Sequence, residues 1–350
     1  MDERKFRAVC IGVGTIGGAV IRKVAADPMY KACASITGSS IRIGKDGPVE
    51  TTDGVSGKIQ YIRREFGTPD IAFLAIPTRD KGEIACEYIR ELLDKNIAVV
   101  TCEKGALAYR FPELRPRLKH IGYKATCGGG TMMIPALQGR HLRRKKVVVH
   151  AVVNGTLNYI FAGVGLEGRS LAEMVREASK LGYAEPGASD PLAVIRGEVE
   201  DVTKKLPVLF NTVFAGTEGP YLTPDDFTFE SVDEKSALAL TSPGNHYRYI
   251  VRVTNQDIGF EADPSLPGSL HIMKGGWRID AGFVNLRSGS KLDRWIPGGV
   301  NNGVLLEEGP YGADGIYELC KGPGAGPEPT AEAMMCDARE LLAHRLQPSG

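Results

Sequence analysis

The chain lacks the features by which membrane, secreted and nucleic-acid-binding proteins are usually recognised. No uninterrupted apolar run reaches the roughly 20 residues that span a bilayer, and the N-terminal Met-Asp-Glu-Arg-Lys leads into a strand-like segment without a signal-peptide pattern. Lys and Arg number 43 against 42 Asp and Glu, so no basic excess is available to bind nucleic acid. We therefore expect a soluble, cytoplasmic protein that contacts neither membranes nor nucleic acid.

Paired cysteines are also missing. The seven cysteines are odd in number and scattered, without a CxxC spacing or an accompanying histidine pair. This usage indicates free thiols in a reducing compartment. At 350 residues, with 43% hydrophobic and 24% charged residues, the chain has an ordinary globular composition and is long enough for two or three domains.

A glycine-rich motif lies near the N-terminus. The strand-like segment from Phe6 to Ile11 leads into Gly12-Val-Gly14-Thr-Ile-Gly17, and a helical pattern follows. Between a strand and a helix, GxGxxG is typical of a dinucleotide-binding fold. Gly12 would allow the tight turn, Gly14 would let the backbone approach a pyrophosphate at the helix N-terminus, and Gly17 would let the helix pack on the sheet. The alternative is an ordinary glycine turn.

The next strand, Lys31 to Thr37, lacks the acidic residue that usually binds the ribose hydroxyls of NAD. It is followed by Gly38-Ser39-Ser40-Ile41-Arg42. Two hydroxyl groups and an arginine suit a 2′-phosphate, so the sequence favours NADP, with NAD possible. The alternative is that Arg42 is ordinary surface charge.

Further α/β patterns follow. Strand-like segments at 70–76 and 97–101 flank a helical pattern at 81–95. In a doubly wound sheet, residues just past the carboxyl ends of the strands line the ligand crevice. Lys104 follows such a strand, so we expect it to reach a ligand, although a lysine at a strand end is usually at the surface.

The second half of the chain predicts another sheet with helices on one face. Its strand-like runs lie at 249–253, 270–273, 279–284 and 304–306, and a separate strand-like segment lies earlier, at 147–153.

A polar stretch at 181–205 combines groups suited to binding an amino acid. Helix breakers in its first part bring Glu185 and Asp190 into one loop next to Tyr183, and a helix is predicted from about residue 196. Asp201 and Lys205 are four residues apart and therefore share a face of that helix. These groups could bind an amino acid and move a proton. The alternative is a polar turn followed by an ordinary ion pair.

Nine segments resemble the homoserine dehydrogenase family, in the family's order and over nearly the whole chain. They are GVGTIGG (12–18), IPTRDKGE (76–83), VVTCEKGALA (99–108), ATCGGG (125–130), NGTLNYI (154–160), LGYAEP (181–186), DVTKK (201–205), GVNNGVLL (299–306) and GPGAGPEPTAEA (322–333).

The resemblance implies an α/β fold with two domains. A Rossmann dinucleotide-binding domain would comprise residues 1–135 and be completed by 307–350. An α+β substrate domain with a mixed sheet, which also carries homodimer contacts, would comprise 136–306. The implied activity is NAD(P)-dependent interconversion of L-homoserine and aspartate 4-semialdehyde in amino-acid biosynthesis. Many relatives append a regulatory domain, and none is expected here.

The resemblance also assigns site residues. Lys205 matches the proton-transfer lysine, Asp201 its carboxylate neighbour, and Lys104 the lysine between cofactor and substrate. The substrate-binding residues would be Glu185, which holds the amino group, together with Asp190, Tyr183, Gly155 and Thr156. The cofactor-binding residues would be Gly12, Gly14, Thr15, Ile16, Gly17, Ser39, Arg42, Pro77, Thr78, Lys104 and Gly326.

Three departures from the family pattern affect these expectations. Glu103 stands where the family usually has Asn, and the loop after Glu185 is longer than the family's Glu-Pro-Asp-Pro version. Lys124 replaces an acid that helps bind a monovalent cation in relatives. Because its ammonium could take the cation's place, we predict no bound metal. Two alternatives therefore stay open: a dehydrogenase of the same fold for another small amino or oxo acid, and a non-catalytic NAD(P)-binding sensor.

Overall fold

The computed structural model of the protein describes residues 5–184, 190–263 and 265–346. The chain divides into two compact units. The first takes in the chain up to Thr126 and resumes at Pro327, and the second comprises Cys127–Gly326.

The strands are β1 (Phe6–Ile11), β2 (Tyr30–Ile36), β3 (Ser40–Ile43), β4 (Val49–Glu50), β5 (Ile71–Leu74), β6 (Ala98–Thr101), β7 (Ile121–Gly122), β8 (Val147–Val152), β9 (Tyr247–Thr254), β10 (Leu270–Lys274), β11 (Trp277–Asn285), β12 (Asn301–Glu308) and β13 (Gly315–Pro323). The helices are α1 (Thr15–Ala26), α2 (Val55–Glu65), α3 (Glu83–Asp94), α4 (Gly105–Tyr109), α5 (Phe111–Leu114), α6 (Met133–Gln138), α7 (Gly155–Glu167), α8 (Leu171–Lys180), α9 (Pro191–Val213), α10 (Glu234–Leu240), α11 (Lys291–Trp295) and α12 (Pro327–Leu346).

The sheet of the first unit has the strand order β4-β3-β2-β1-β5-β6-β7. The run from β2 to β7 is parallel, and β3 and β4 add an antiparallel edge. Strands β5 and β6 are buried along their whole length, as expected for parallel strands covered on both faces. Since the parallel strands share one direction, the loops after them lie at the same edge of the sheet.

Helix α12 belongs to the core of the first unit. Met334, Ala338 and Leu342 are fully buried in the cluster that contains Phe6 and Phe73 of the central strands. The C-terminal helix therefore completes the apolar core that the N-terminal segment begins.

The second sheet has the order β10-β11-β9-β8-β12-β13, and every pairing among these described strands is antiparallel. This corrects the expectation of a mixed sheet in the substrate domain, because the mixed pairing lies in the first unit. Short turns such as Gly275-Gly276, both with positive φ, join neighbouring strands and require antiparallel pairing. The α/β fold class with a Rossmann-type unit and an α+β unit is confirmed.

The boundaries of the units lie at Cys127 and Pro327, whereas the sequence placed the domain boundaries at 135/136 and 306/307. The difference at the second boundary comes from β13, which the sequence did not reveal and which pairs with β12 in the second sheet. All of its residues are half-buried or exposed, and no continuous apolar run marks it in the sequence. The assignment of cofactor and substrate functions to the two units stays a prediction.

Among the described helices, none is long and apolar enough to cross a membrane.

Candidate active site

The three glycines of the loop between β1 and α1 differ in their surroundings. Gly12 has φ +90°, and a Cβ there would lie 2.2 Å from the Ala75 carbonyl oxygen. A Cβ on Gly17 would lie 2.0 Å from the Gly12 carbonyl oxygen, whereas one on Gly14 would meet nothing within 4 Å. Gly12 and Gly17 are thus required by packing, and Gly14 faces open space.

Gly14 is also the N-cap of α1, and no side chain caps the helix. Thr15 and Ile16 form the start of the first turn, where backbone N–H groups have no partner within the helix. Such a helix end attracts anions. The loop therefore fits a pyrophosphate.

The turn between β2 and β3 has a lysine beneath it. Lys58 of α2 is only 6% exposed, and its ammonium donates hydrogen bonds to the carbonyl oxygens of Thr37 (3.3 Å) and Gly38 (2.6 Å). Ser39 is exposed in this turn, and Arg42 is exposed on β3. The charges of Lys58 and Arg42 therefore border the turn where the sequence predicted a 2′-phosphate.

Lys58 was missed by the sequence analysis. It lies on the buried face of α2 with Val55, Ile59 and Ile62. The sequence did contain an indication, because a lysine among apolar residues at helical spacing predicts a buried cation.

Glu103 lies in the loop after β6, at the same edge of the sheet. Its carboxylate, 2% exposed, accepts hydrogen bonds from the backbone N–H groups of Gly105 (2.6 Å) and Ala106 (3.0 Å) and from the hydroxyl of Thr78. It therefore caps α4, so its departure from the family pattern has a structural role. Lys104 is half-buried and immediately precedes α4, while Pro77 is exposed beside Thr78.

In the second unit, Lys205 is held in a defined position on α9. Its Nζ atom lies 2.7 Å from Asp201 Oδ2 and 3.0 Å from the carbonyl oxygen of Val153. The Lys205 side chain is 11% exposed. An ammonium that is largely shielded from water and fixed at two points is suited to proton transfer.

Asn154 links this ion pair to a second carboxylate. Its Nδ2 group donates to Glu198 Oε2 (2.6 Å) and Asp201 Oδ2 (3.2 Å), and its Oδ1 accepts from the Leu157 N–H at the start of α7. The sequence analysis missed both Asn154 and Glu198. Spacings of three and four place Glu198, Asp201 and Lys205 on one helical face, which was the available indication. We call Asn154, Glu198, Asp201 and Lys205 the α9 cluster.

The other predicted substrate residues have varied positions. Thr156 donates a hydrogen bond to the Tyr183 carbonyl oxygen (2.7 Å), and Gly155 is packed so closely that a Cβ would lie 2.3 Å from the Val300 carbonyl oxygen. Asp190 is exposed and caps α9 by accepting from the Leu192 N–H. At 1.5 Å per residue, it precedes Asp201 by about 16 Å along the helix. Glu185 lies outside the described residues.

The homoserine dehydrogenase family profile matches residues 134–338, which is more than half of the chain and includes the entire α9 cluster. The chain belongs to the homoserine dehydrogenase family. It is 27% identical over 283 residues to the homoserine dehydrogenase of Synechocystis sp., a match that covers 78% of this chain. The chain spans 58% of that relative's own length.

Solved structures of the family share the fold. A homoserine dehydrogenase from Thermoplasma acidophilum matches with a TM-score of 0.66 at 20% identity, covering 97% of this chain and 100% of the neighbour. A hyperthermophilic archaeal homoserine dehydrogenase in complex with NADPH matches with the same score and identity, covering 97% of this chain and 98% of the neighbour.

Lys124, at the family's acidic position, binds carboxylates of α12. Its ammonium lies 3.2 Å from Asp337 Oδ1 and also pairs with Glu340, while its backbone N–H donates to Asp337 Oδ2 (2.9 Å). Burial lowers the pKa of Lys124, but these carboxylates outweigh burial and raise it. Burial raises the pKa of Asp337 to about 6. Lys124 therefore fastens the C-terminal helix within the first unit.

Lys124→Met should lower the free energy of unfolding by about 2 kcal/mol, because the Asp337 side chain, 1% exposed, loses its cation. Arg22→Met is the matched control, since Arg22 pairs with Glu328 of α12 at exposed positions and should change stability by less than about 0.5 kcal/mol. Urea unfolding of both variants measures the difference. Equal losses would contradict a special role for Lys124.

Two assignments stay predictions. No group of three or more metal-binding side chains occurs within residues 5–184, 190–263 and 265–346, and the absence of a bound metal stays a prediction. Lys104 belongs to the first unit and Lys205 to the second, so their convergence on one substrate carbonyl also stays a prediction.

Gly326, a predicted cofactor-binding residue, has φ +104° and lies directly before α12.

Proposed function

We propose that the protein is an NADP-dependent homoserine dehydrogenase that interconverts L-homoserine and aspartate 4-semialdehyde. The observation that carries this proposal is the fixed position of Lys205 between Asp201 and the Val153 carbonyl oxygen, within the segment that matches the family. To test it, purified protein is mixed with L-homoserine and NADP⁺. We expect NADPH to form, which is measured by its absorbance. Absence of turnover at millimolar homoserine would reject the proposal.

Lys205 is assigned the proton-transfer step. Bound NADPH would supply hydride to the aldehyde carbon. An ammonium has three N–H donors. Among the described residues, Asp201 and Val153 engage two of them, which leaves one for the substrate oxygen. Lys205 donates that proton to the oxygen as the alcohol forms and takes it back in the oxidation. Asp201 stabilises the charged lysine between turnovers.

The acidic residues are assigned to the substrate's α-ammonium. The α9 cluster contains two carboxylates and one ammonium, so it favours an additional positive charge. Asn154 fixes both carboxylates through one amide group. We retain Glu185 as a further ligand of the ammonium, on the strength of the family resemblance.

The cofactor preference is supported by two cations at the β2–β3 turn. Lys58 holds the turn from below and Arg42 lies on the following strand, and residues 37–42 contain no acid that could bind the ribose hydroxyls. Ser39 adds a hydroxyl in the same turn. These residues fit a 2′-phosphate and therefore favour NADP, with NAD as the weaker cofactor.

Arg42→Ala should weaken NADPH binding about tenfold or more and leave NADH binding nearly unchanged, because a charge-assisted hydrogen bond to the 2′-phosphate is lost. Fluorescence titration gives both dissociation constants. The matched control is Arg64→Ala, since Arg64 is an exposed arginine of α2 that pairs with Glu65. Equal losses of NADPH and NADH affinity would show that Arg42 does not select the cofactor.

A second candidate is a dehydrogenase of the same fold for another small amino or oxo acid. The position of Asp190 favours it. This residue was predicted to bind the substrate, but it is exposed and its carboxylate caps α9 instead. Turnover of a panel of hydroxy and amino acids separates the two candidates. A sensor without activity would bind the cofactor but turn over none of them.

We also propose a cytoplasmic location, from the scattered free cysteines, and a homodimer, from the family resemblance. Light scattering on the purified protein measures the oligomeric state. A monomer at micromolar concentration would contradict the dimer.

A further inference from the structure

A further candidate site lies in the second unit, against strands β8, β9 and β12. It is a cavity of about 220 Å³ lined by charged and aromatic side chains. His150 of β8 lies opposite Arg252 of β9, and Glu307 of β12 lies opposite Val148, which is two residues from His150. Residues that are opposite each other or two apart share a face of the sheet, so these three polar side chains line one wall.

His150 carries a buried nitrogen without a partner. The residue is 8% exposed, and its Nδ1 atom makes no hydrogen bond to any described residue. Burial, followed by the charges of Lys291 and Arg252, lowers the pKa of His150 to about 3, so the ring is neutral at physiological pH. Buried polar atoms are almost always hydrogen-bonded, and a neutral imidazole has one nitrogen that accepts.

A second acceptor lies beside it. Glu307, 3% exposed, places Oε1 3.7 Å from His150 Nδ1. The Lys291 ammonium lies 2.5 Å from the same oxygen, in an ion pair that is not aligned as a hydrogen bond. In the tautomer with the proton on Nε2, Nδ1 and Glu307 Oε1 are two neighbouring buried acceptors, which fit a group with several N–H donors such as a primary ammonium.

The remaining lining adds a cation and apolar surface. Lys291 is 38% exposed on α11 and can therefore reorient towards an anionic group. The ring of Phe260 stacks on the Arg252 guanidinium at 4.9 Å, and Leu292 lies beside it. Tyr311, 82% exposed, is held at the cavity in a left-handed conformation (φ +55°) that non-glycine residues rarely adopt.

We propose that this cavity binds a free α-amino acid, with its ammonium between His150 and Glu307 and its carboxylate on Lys291. The volume is smaller than the roughly 300–1,000 Å³ of sites for drug-sized ligands, which fits a metabolite of this size. Phe260 and Leu292 contact its side chain. The site is independent of the proposed activity, because neither the cofactor nor the α9 cluster takes part.

Calorimetric titration of the full-length protein with each of the common L-amino acids tests the proposal. At least one should bind with a dissociation constant in the millimolar range or below. Glu307→Gln should weaken that binding about tenfold or more, because a charge-assisted contact is lost. The matched control is Glu308→Gln, the next residue of β12, whose carboxylate pairs with Lys145. It should leave the binding unchanged.

Two further variants assign the binding to this cavity. Asp201→Asn, in the α9 cluster, should not change it, and a loss there instead would place the amino acid in the other site and overturn the proposal. Lys291→Met, at a partly exposed position, keeps the test valid if Glu307→Gln does not fold. It should remove the preference for the amino acid over the corresponding primary amine without a carboxylate.

Two outcomes reject the site outright. One is that no amino acid binds the wild-type protein at millimolar concentration. The other is that Glu307→Gln changes the mass measured by light scattering, which would assign this face to a contact between copies of the chain.

Discussion

Lys205→Ala should lower kcat by about 10²- to 10⁴-fold, the range typical of lost general acid–base catalysis, while the affinity for NADPH stays unchanged. The loss follows from position, since the ammonium is fixed by Asp201 and the Val153 carbonyl oxygen and no other lysine of α9 shares that arrangement. Steady-state turnover of homoserine and fluorescence titration of NADPH give the two quantities separately.

The neighbouring lysine provides the control. Lys204 lies on the same helix and pairs with Glu200 at 2.8 Å on its exposed side. Lys204→Ala should therefore retain nearly full activity, and both variants remove the same charge from α9. A Lys205→Ala protein with near-normal kcat would remove Lys205 from the chemical step. If the wild-type protein does not turn over homoserine, the proposed substrate is rejected instead.

Gly17→Ala should destabilise the first unit by about 3 kcal/mol or more and abolish cofactor binding. The added Cβ would lie 2.0 Å from the Gly12 carbonyl oxygen, far inside the 3.0 Å that real Cβ contacts keep. Helix α1 would have to move away from β1, and overpacking of this kind is costly. Thermal unfolding and NADPH titration measure the two effects.

Substitutions at two nearby glycines, Gly14 and Gly18, distinguish an effect on folding from an effect on cofactor binding. Gly14→Ala meets nothing within 4 Å, so the protein should fold normally while its affinity for NADPH falls, if the pyrophosphate approaches this backbone. At Gly18 an added Cβ would make only ordinary contacts, 3.8 Å to Arg22 and 3.9 Å to the Val13 carbonyl oxygen, so Gly18→Ala should be neutral or stabilising by about 0.5–1 kcal/mol. If all three variants behaved alike, the distinct roles of these glycines would be refuted.

Local patterns in the sequence were sufficient to predict much of the first unit. The strand from Phe6 to Ile11 and the glycine loop depend on interactions between near neighbours, and both lie where the sequence placed them. Helix α9 begins at Pro191, earlier than the expected residue 196, because Asp190 caps it and proline is well tolerated in the first turn.

The roles that the sequence did not reveal depend on partners distant in the chain. Lys124 binds residues more than 200 positions later, and the Asn154 amide reaches carboxylates more than 40 positions later. Glu103 has partners nearby, but its function as a cap for α4 depends on a turn that no periodic pattern marks. Side-chain geometry of this kind follows from tertiary packing, which a single sequence does not specify.

The return of α12 to the first unit has a consequence for biosynthesis. Met334, Ala338 and Leu342 join the apolar core around Phe6 and Phe73 only when α12 has left the ribosome. The 200 residues of the second unit are translated in between, and they form a compact body with its own sheet. We therefore expect the first unit to finish folding only after the second unit and α12 have been synthesised, so the nascent chain would carry an uncovered apolar surface that chaperones can bind.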